Sequence, residues 1–212
     1  MAFKNILACA LLSLASLVVA QDRSTAQVKA AFDNANIPAN AEITFNPSVV
    51  LEVTFPQASA RPVAVHAGIH LPRNQTVGPP QFAVLGDIER TQRFVVATVD
   101  LDAPTPQAPT AAQIRHFLGS DFVRGANEEL LKELVNTTAP VSGWLQPTPP
   151  AGSDAHRYVF LLFHQPAGFD QQTLVTPSTS ISNFNISSFA EATHLGNPIG
   201  GTFILVAPDA TA

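Results

Sequence analysis

The chain has 212 residues, of which 46% are hydrophobic, 13% charged and 8% aromatic. Charged residues make up about a quarter of an ordinary globular chain, so this surface relies on neutral polar groups, and the apolar content excludes a disordered polymer. Eleven Lys and Arg against sixteen Asp and Glu give a net charge of −5 with no basic run, which argues against nucleic-acid binding and against strong electrostatic docking on a membrane.

Residues 1–20 read as a secretory signal: Lys4 supplies a short positive region, Ile6 to Val19 is apolar apart from Ser13 and Ser16, and Val18-Val19-Ala20 offers small residues for cleavage before Gln21. The run is short for a membrane span, which needs about 20 apolar residues. Cleavage removes Lys4 and Cys9, the only cysteine, so the mature chain is expected to have neither a disulfide nor a thiol nucleophile. Asn74, Asn136 and Asn185 head sequons that fit passage through a secretory pathway.

In chain order, Thr25–Asn34 predicts a helix with Val28, Ala31 and Phe32 on one face. Alternation predicts strands over Ile43–Phe55 and Pro62–Leu71, and apolar runs predict others at Phe94–Val99, Ile114–Leu118, Tyr158–Phe163 and Thr202–Val206. Tyr158–Phe163 is apolar throughout, as a strand buried on both faces should be. A second helix is expected over Glu128–Val135, capped by Asn127, and a third at the capping box Ser188-Phe189-Ala190-Glu191, closed by Gly196 and Pro198. The expectation is one mainly β domain over residues 21–212.

No Gly-x-Ser-x-Gly elbow, phosphate loop or His-Glu-x-x-His helix is present. His66 and His70 lie four residues apart on an expected strand, about 13 Å, too far to share one ion. No metal or cofactor is therefore expected. Polar residues do gather at strand ends. Asp100-Leu101-Asp102-Ala103-Pro104 follows Phe94–Val99, and alternation places both carboxylates toward one site. His116 stands in the next apolar run, and His156-Arg157 opens Tyr158–Phe163 after the loop Pro149-Pro150-Ala151-Gly152-Ser153. Two imidazoles held by carboxylates can donate to an anion, and loop amides can add donors. A turn built from Asp and Pro beside two packing histidines is the alternative reading of the same residues.

The segments Val99-Asp100-Leu101-Asp102-Ala103-Pro104, Ile114-Arg115-His116-Phe117-Leu118, Pro149-Pro150-Ala151-Gly152-Ser153 and His156-Arg157-Tyr158-Val159-Phe160 resemble the phosphatidylethanolamine-binding protein family, also called Raf kinase inhibitor-like proteins. Phe45–Val53 and Phe184–Thr202 resemble its N-terminal strand and C-terminal block, and the chain looks like a secreted, fungal-type member. The resemblance implies a mainly β fold, a large antiparallel sheet packed on a smaller one with short peripheral helices. It also implies an anion pocket formed by Asp100, Asp102, Pro104, His116, Pro150 and His156. The sequence departs from the family pattern at Leu101, Ala111, Ile114, Arg115 and Asp154, so the scaffold looks retained and the mouth rebuilt.

Three functions follow as expectations. The first is a secreted binder of a small phosphate- or carboxylate-bearing ligand. The second, drawn from fungal relatives of secondary-metabolite pathways, is assistance to dimerising cyclisation of maleic-anhydride units, with His116 or His156 moving a proton on a biosynthetic intermediate. The third is inhibition of a protease or kinase through the surface.

Overall fold

The computed structural model describes residues 22–126 and 129–209. The expected signal segment, and with it Asn127 and Glu128, lies outside the described residues. Among those described, no helix is long and apolar enough to cross a membrane.

Two helices come first, α1 (Thr25–Asn34) and α2 (Ile37–Ala41). Helix α1 begins where the Ser24 hydroxyl accepts the Gln27 N–H, and it buries Val28 and Phe32. The strands are β1 (Val50–Phe55), β2 (Val63–Ala64), β3 (Ile69–His70), β4 (Gln81–Leu85), β5 (Arg93–Asp100), β6 (Ile114–Arg124), β7 (Leu131–Asn136), β8 (His156–His164) and β9 (Gly200–Val206), with α3 (Ile186–Ala192) before the last. They form one hydrogen-bonded order, β2-β1-β4-β7-β6-β5-β8-β9-β3, antiparallel except where β3 meets β9. The sheet curls, so the β1–β4 arm lies over the β5–β8–β9 arm, and Ser48 and Val49 N–H groups donate to Ile199 O across the closure.

Strand β8 organises the packing because both of its faces are buried. Val159, Leu161 and Phe163 face one cluster with Val28, Phe32, Phe184 and Phe189, under the helices. Tyr158, Phe160 and Leu162 face the other, with Leu51, Val53, Phe55 and Phe82 of the opposite arm. Phe160 is stacked on Trp144 at 6.0 Å and meets Phe55 at 6.3 Å. On β9, a side chain at Gly201 would stand 2.8 Å from the Phe160 carbonyl and 3.0 Å from the Phe32 ring, so the close approach of α1 to the sheet requires glycine there.

The structure adds α2 and β4, extends Ile114–Leu118 to Arg124, and departs from the expected elements in four further places. Residues 131–136 form β7, not a helix: the Glu-, Leu- and Lys-rich segment has helical preference, but pairing with β4 on one side and β6 on the other overrides it. The Pro62–Leu71 strand is two short pieces separated by a turn in which Ile69 N–H donates to His66 O. Ile43–Phe55 becomes strand only at Val50. Helix α3 starts at Ile186 because the Asn185 side chain, not Ser188, supplies the cap, accepting Ser188 N–H.

Strand β1 also carries Glu52, buried, with Oε2 lacking a hydrogen-bond partner. Burial first, and the neighbouring Asp22 carboxylate second, push its pKa up to about 7 from 4.5. Wild type therefore keeps this stability below the unfolded value and loses it as pH rises through the folded one. Glu52→Gln should unfold like wild type near pH 4.5 and become the more stable protein above about pH 7, by roughly 2–4 kcal/mol. Denaturant melts across that range check it; a difference independent of pH contradicts it.

Candidate functional site

The site lies where β5 ends and β6 and β8 begin. Register places Asp100 opposite Ile114 on one side and Tyr158 on the other. Strand alternation then brings His116 and His156 to the same face. The rings of both histidines pack on Tyr158, with centroids 4.9 and 6.2 Å from it. Asp100, His116, His156 and Tyr158 are all buried.

Asp100 uses both oxygens. Oδ2 accepts the His156 Nδ1 proton at 2.8 Å, and Oδ1 accepts the Asp102 backbone N–H at 2.8 Å. His156 Nε2 lies 2.9 Å from Ser153 Oγ. His116 donates from Nδ1 to Leu145 O at 2.8 Å, which fixes its tautomer and leaves a lone pair on Nε2. Burial lowers the His116 pKa below its ordinary value against the opposing pull of the Leu145 carbonyl and Asp100; nearby His156 lowers it further. At neutral pH this ring is an uncharged acceptor. Burial, then the adjacent Asp100 carboxylate, raise the Tyr158 phenol, which stays protonated.

Asp102 does not join this cluster. Strand β5 stops at Asp100, so alternation no longer governs the residue two further on. Asp102 turns to Arg157 instead, with Oδ2 accepting the backbone N–H at 2.7 Å and Nε at 2.9 Å, and Oδ1 accepting Nη2 at 2.6 Å. Arg157 Nη1 continues to Ala35 O and Asn40 Oδ1, tying the strand end to the C-terminal cap of α1 and to α2. The expectation that both carboxylates face one site is corrected on this point: Asp100 serves the histidines, and Asp102 serves the arginine.

Pro104, after a cis peptide bond, and Pro150 are exposed residues of the two loops bordering the cluster. Those loops are joined by Gln107 Nε2 donating to Asp154 Oδ2 at 2.5 Å. Arg115 points to the other face. It is buried without a carboxylate, donating to Ser142 Oγ and to the carbonyls of Ser180 and Thr179, and its guanidinium lies over the Phe184 ring. Leu145 and Ile181, both exposed, are the neighbours of β6 here through Leu145 N–H to His116 O and Arg115 N–H to Ile181 O. Among the described residues no group of His, Cys, Asp and Glu is placed to hold a metal. A 520 Å³ cleft lined by Arg93, Asp121, His164 and Gln165 lies at the opposite ends of β5 and β8, its Asp121 already bound by Arg93 and Gln165.

Of the sequon residues, Asn74 is exposed, Asn136 accepts the Thr138 N–H with its side chain, and Asn185 caps α3 while its amide donates to Glu42. Sequence reasoning missed Tyr158 and Ser153 as site residues. Tyr158 was accessible through its position two residues after His156 on one strand face. Ser153 depends on the loop path and left no such signal.

A curled β-sheet with acid and imidazole side chains gathered at three strand ends defines a sandwich protein with a polar recess at one end. The chain belongs to the phosphatidylethanolamine-binding protein family, whose sequence model matches residues 61–204. It is 31% identical to Protein FLOWERING LOCUS T of Arabidopsis thaliana over 159 residues, covering 75% of this chain and 80% of that one. It is 27% identical to a 26 kDa secreted antigen of Toxocara canis over 169 residues, 76% of this chain and 57% of the antigen. A carboxypeptidase Y inhibitor, solved in complex with its cognate proteinase, shares the fold with a TM-score of 0.73 and 24% identity over 89% of this chain and 98% of its own.

The Asp102 carboxylate is 1% exposed, so removing its partner strands a buried charge. Arg157→Ala should destabilise the protein by about 3 kcal/mol or more, and Asp102→Asn combined with it should cost less than the two single changes together. A double-mutant cycle by urea unfolding checks this.

Proposed function

We propose that the chain is a secreted, glycosylated member of its family that binds a small phosphate- or carboxylate-bearing ligand in the recess formed by Asp100, His116 and His156. The observation that carries this reading is the pairing of a carboxylate-held imidazole with a second imidazole whose Nε2 has no partner among the described residues. Loop amides beside them supply further donors: Gly152, Asp154 and Ala155 N–H groups have no acceptor within the described residues, an arrangement suited to an anion. Asp102, neutralised by Arg157, adds little repulsion. Exposed Leu145 and Ile181 beside β6 suit an apolar portion on the same ligand.

The neutral state of His116 decides the pH dependence. Its Nε2 accepts a proton, so a ligand must either bring one, as dihydrogen phosphate or a carboxylic acid does, or bind as the ring takes one from solvent. Both routes favour acid. Because burial lowers the His116 pKa, the share of the gain that comes from the ring's own protonation should begin below the usual histidine midpoint. Calorimetric titration with inorganic phosphate should show about tenfold tighter binding at about pH 5.5 than at about pH 7.5. His116→Ala should abolish that difference. Equal affinity at both pH values, unchanged by His116→Ala, contradicts the assignment.

A further inference from the structure

Beside the Asp100–His156 pair lies a side chain that anion binding does not use, the Ser153 hydroxyl. We propose that Ser153, His156 and Asp100 act as nucleophile, general base and orienting carboxylate toward a small carboxylic ester. The proposal rests on the anion-recess reading only for where the acid portion of the ester sits. Ser153 Oγ is 2.9 Å from His156 Nε2, and His156 Nδ1 is 2.8 Å from Asp100 Oδ2. Those are the separations at which a hydroxyl can pass its proton to an imidazole whose other nitrogen is held by a carboxylate. The supporting shell is fixed as well. Asp100 Oδ1 is anchored by Asp102 N–H, and His156 packs along Tyr158 with an interplanar angle of 20°.

Exposure is graded in the direction the chemistry needs. Asp100 and His156 are buried, whereas Ser153 is partly exposed on the loop that opens the recess. The Ser153 hydroxyl has a second acceptor, Asp154 O at 2.8 Å. One hydroxyl proton cannot serve both acceptors, so transfer to His156 Nε2 requires the hydroxyl to give up the Asp154 carbonyl. Ser153 N–H is taken by Pro150 O, so oxyanion stabilisation falls to the amides of Gly152, Asp154 and Ala155, neighbours of Ser153 in the chain that have no acceptor among the described residues.

The steps balance without any further reactant but water. Ser153 Oγ bonds to the ester carbonyl carbon while His156 Nε2 takes its proton. The tetrahedral oxyanion then collapses, the bond to the alkoxy oxygen breaks, and the alcohol leaves with the proton from Nε2. Water attacks the acyl-serine by the same route, releasing the acid and restoring Ser153. His156 stays charged only between the transfers, and Asp100 stabilises it there.

A fluorophosphonate probe tests the nucleophile directly, since Oγ–P bond formation with loss of fluoride leaves a fixed mass on the serine. Incubation of the full chain, followed by peptide mass mapping, should find the adduct on Ser153. Ser153→Ala should lose that adduct, and Asp100→Asn should slow labelling by roughly 10²-fold. Hydrolysis of p-nitrophenyl acetate should fall in step with labelling in both variants. Inorganic phosphate titrated into the wild type reads the anion recess separately. Phosphate binding with no adduct on Ser153 overturns the nucleophile and leaves the recess standing; an adduct on Ser153 without phosphate binding supports the nucleophile and removes the recess. Labelling of wild type and a folded Asp100→Asn protein at equal rates overturns the relay.

Discussion

A buried carboxylate must be paired or it costs several kcal/mol, and one end of the β5–β8–β9 arm is built around satisfying one. Asp100 is 3% exposed at the last position of β5, and its two oxygens hold two different pieces of chain. One fixes His156 at the first position of β8, and the other draws in the backbone just beyond the strand. Strand ends that would otherwise fray are thereby tied to each other. The imidazole gains a defined tautomer, and the loop carrying Gly152 and Ser153 gains a fixed neighbour. Ligand recognition and the hydroxyl relay both depend on that single interaction.

The two faces of the sheet divide the charges. On one, Asp100, His116 and His156 continue the apolar surface of Tyr158 and Phe160 toward solvent, so polar chemistry emerges at the end of a packed core. On the other, Asp102 and Arg157 connect to α1 and α2, and Arg115 is held by carbonyls and Phe184. Fully ionised groups thus serve as structural ties, with directional partners for most of their donors and acceptors. The functional face instead keeps groups that can exchange a proton: a neutral histidine, a hydroxyl and an acid–imidazole pair.

Local pattern made much of this legible. Thr25–Asn34 carries its apolar stripe in sequence, and the structure has that helix with those bounds. The two-sided burial of β8 and of β5 follows from apolar runs, continuous in Tyr158–Phe163 and broken only by Thr98 in Phe94–Val99. Residues 131–136 were misread because Glu, Leu and Lys favour a helix locally, while the backbone pairing that wins comes from β4 and β6, remote in sequence. Strand β4 is a five-residue segment with two buried positions, Phe82 and Val84, too short for periodicity to single out. In the site, Asp100 and the histidines were recognisable from the ordered family blocks. The divergence of Asp102 was not, because alternation holds only while the strand continues, and the strand ends at Asp100, two residues too early.

The most direct test of this account is long-range proton–nitrogen correlation spectroscopy of the histidine rings. The account predicts that His156 carries a strongly downfield, exchange-protected Nδ1 proton that is lost in Asp100→Asn, while His116 remains a neutral ring protonated at Nδ1. A His156 ring that behaves as a freely exchanging imidazole, with spectra indifferent to Asp100→Asn, would contradict it.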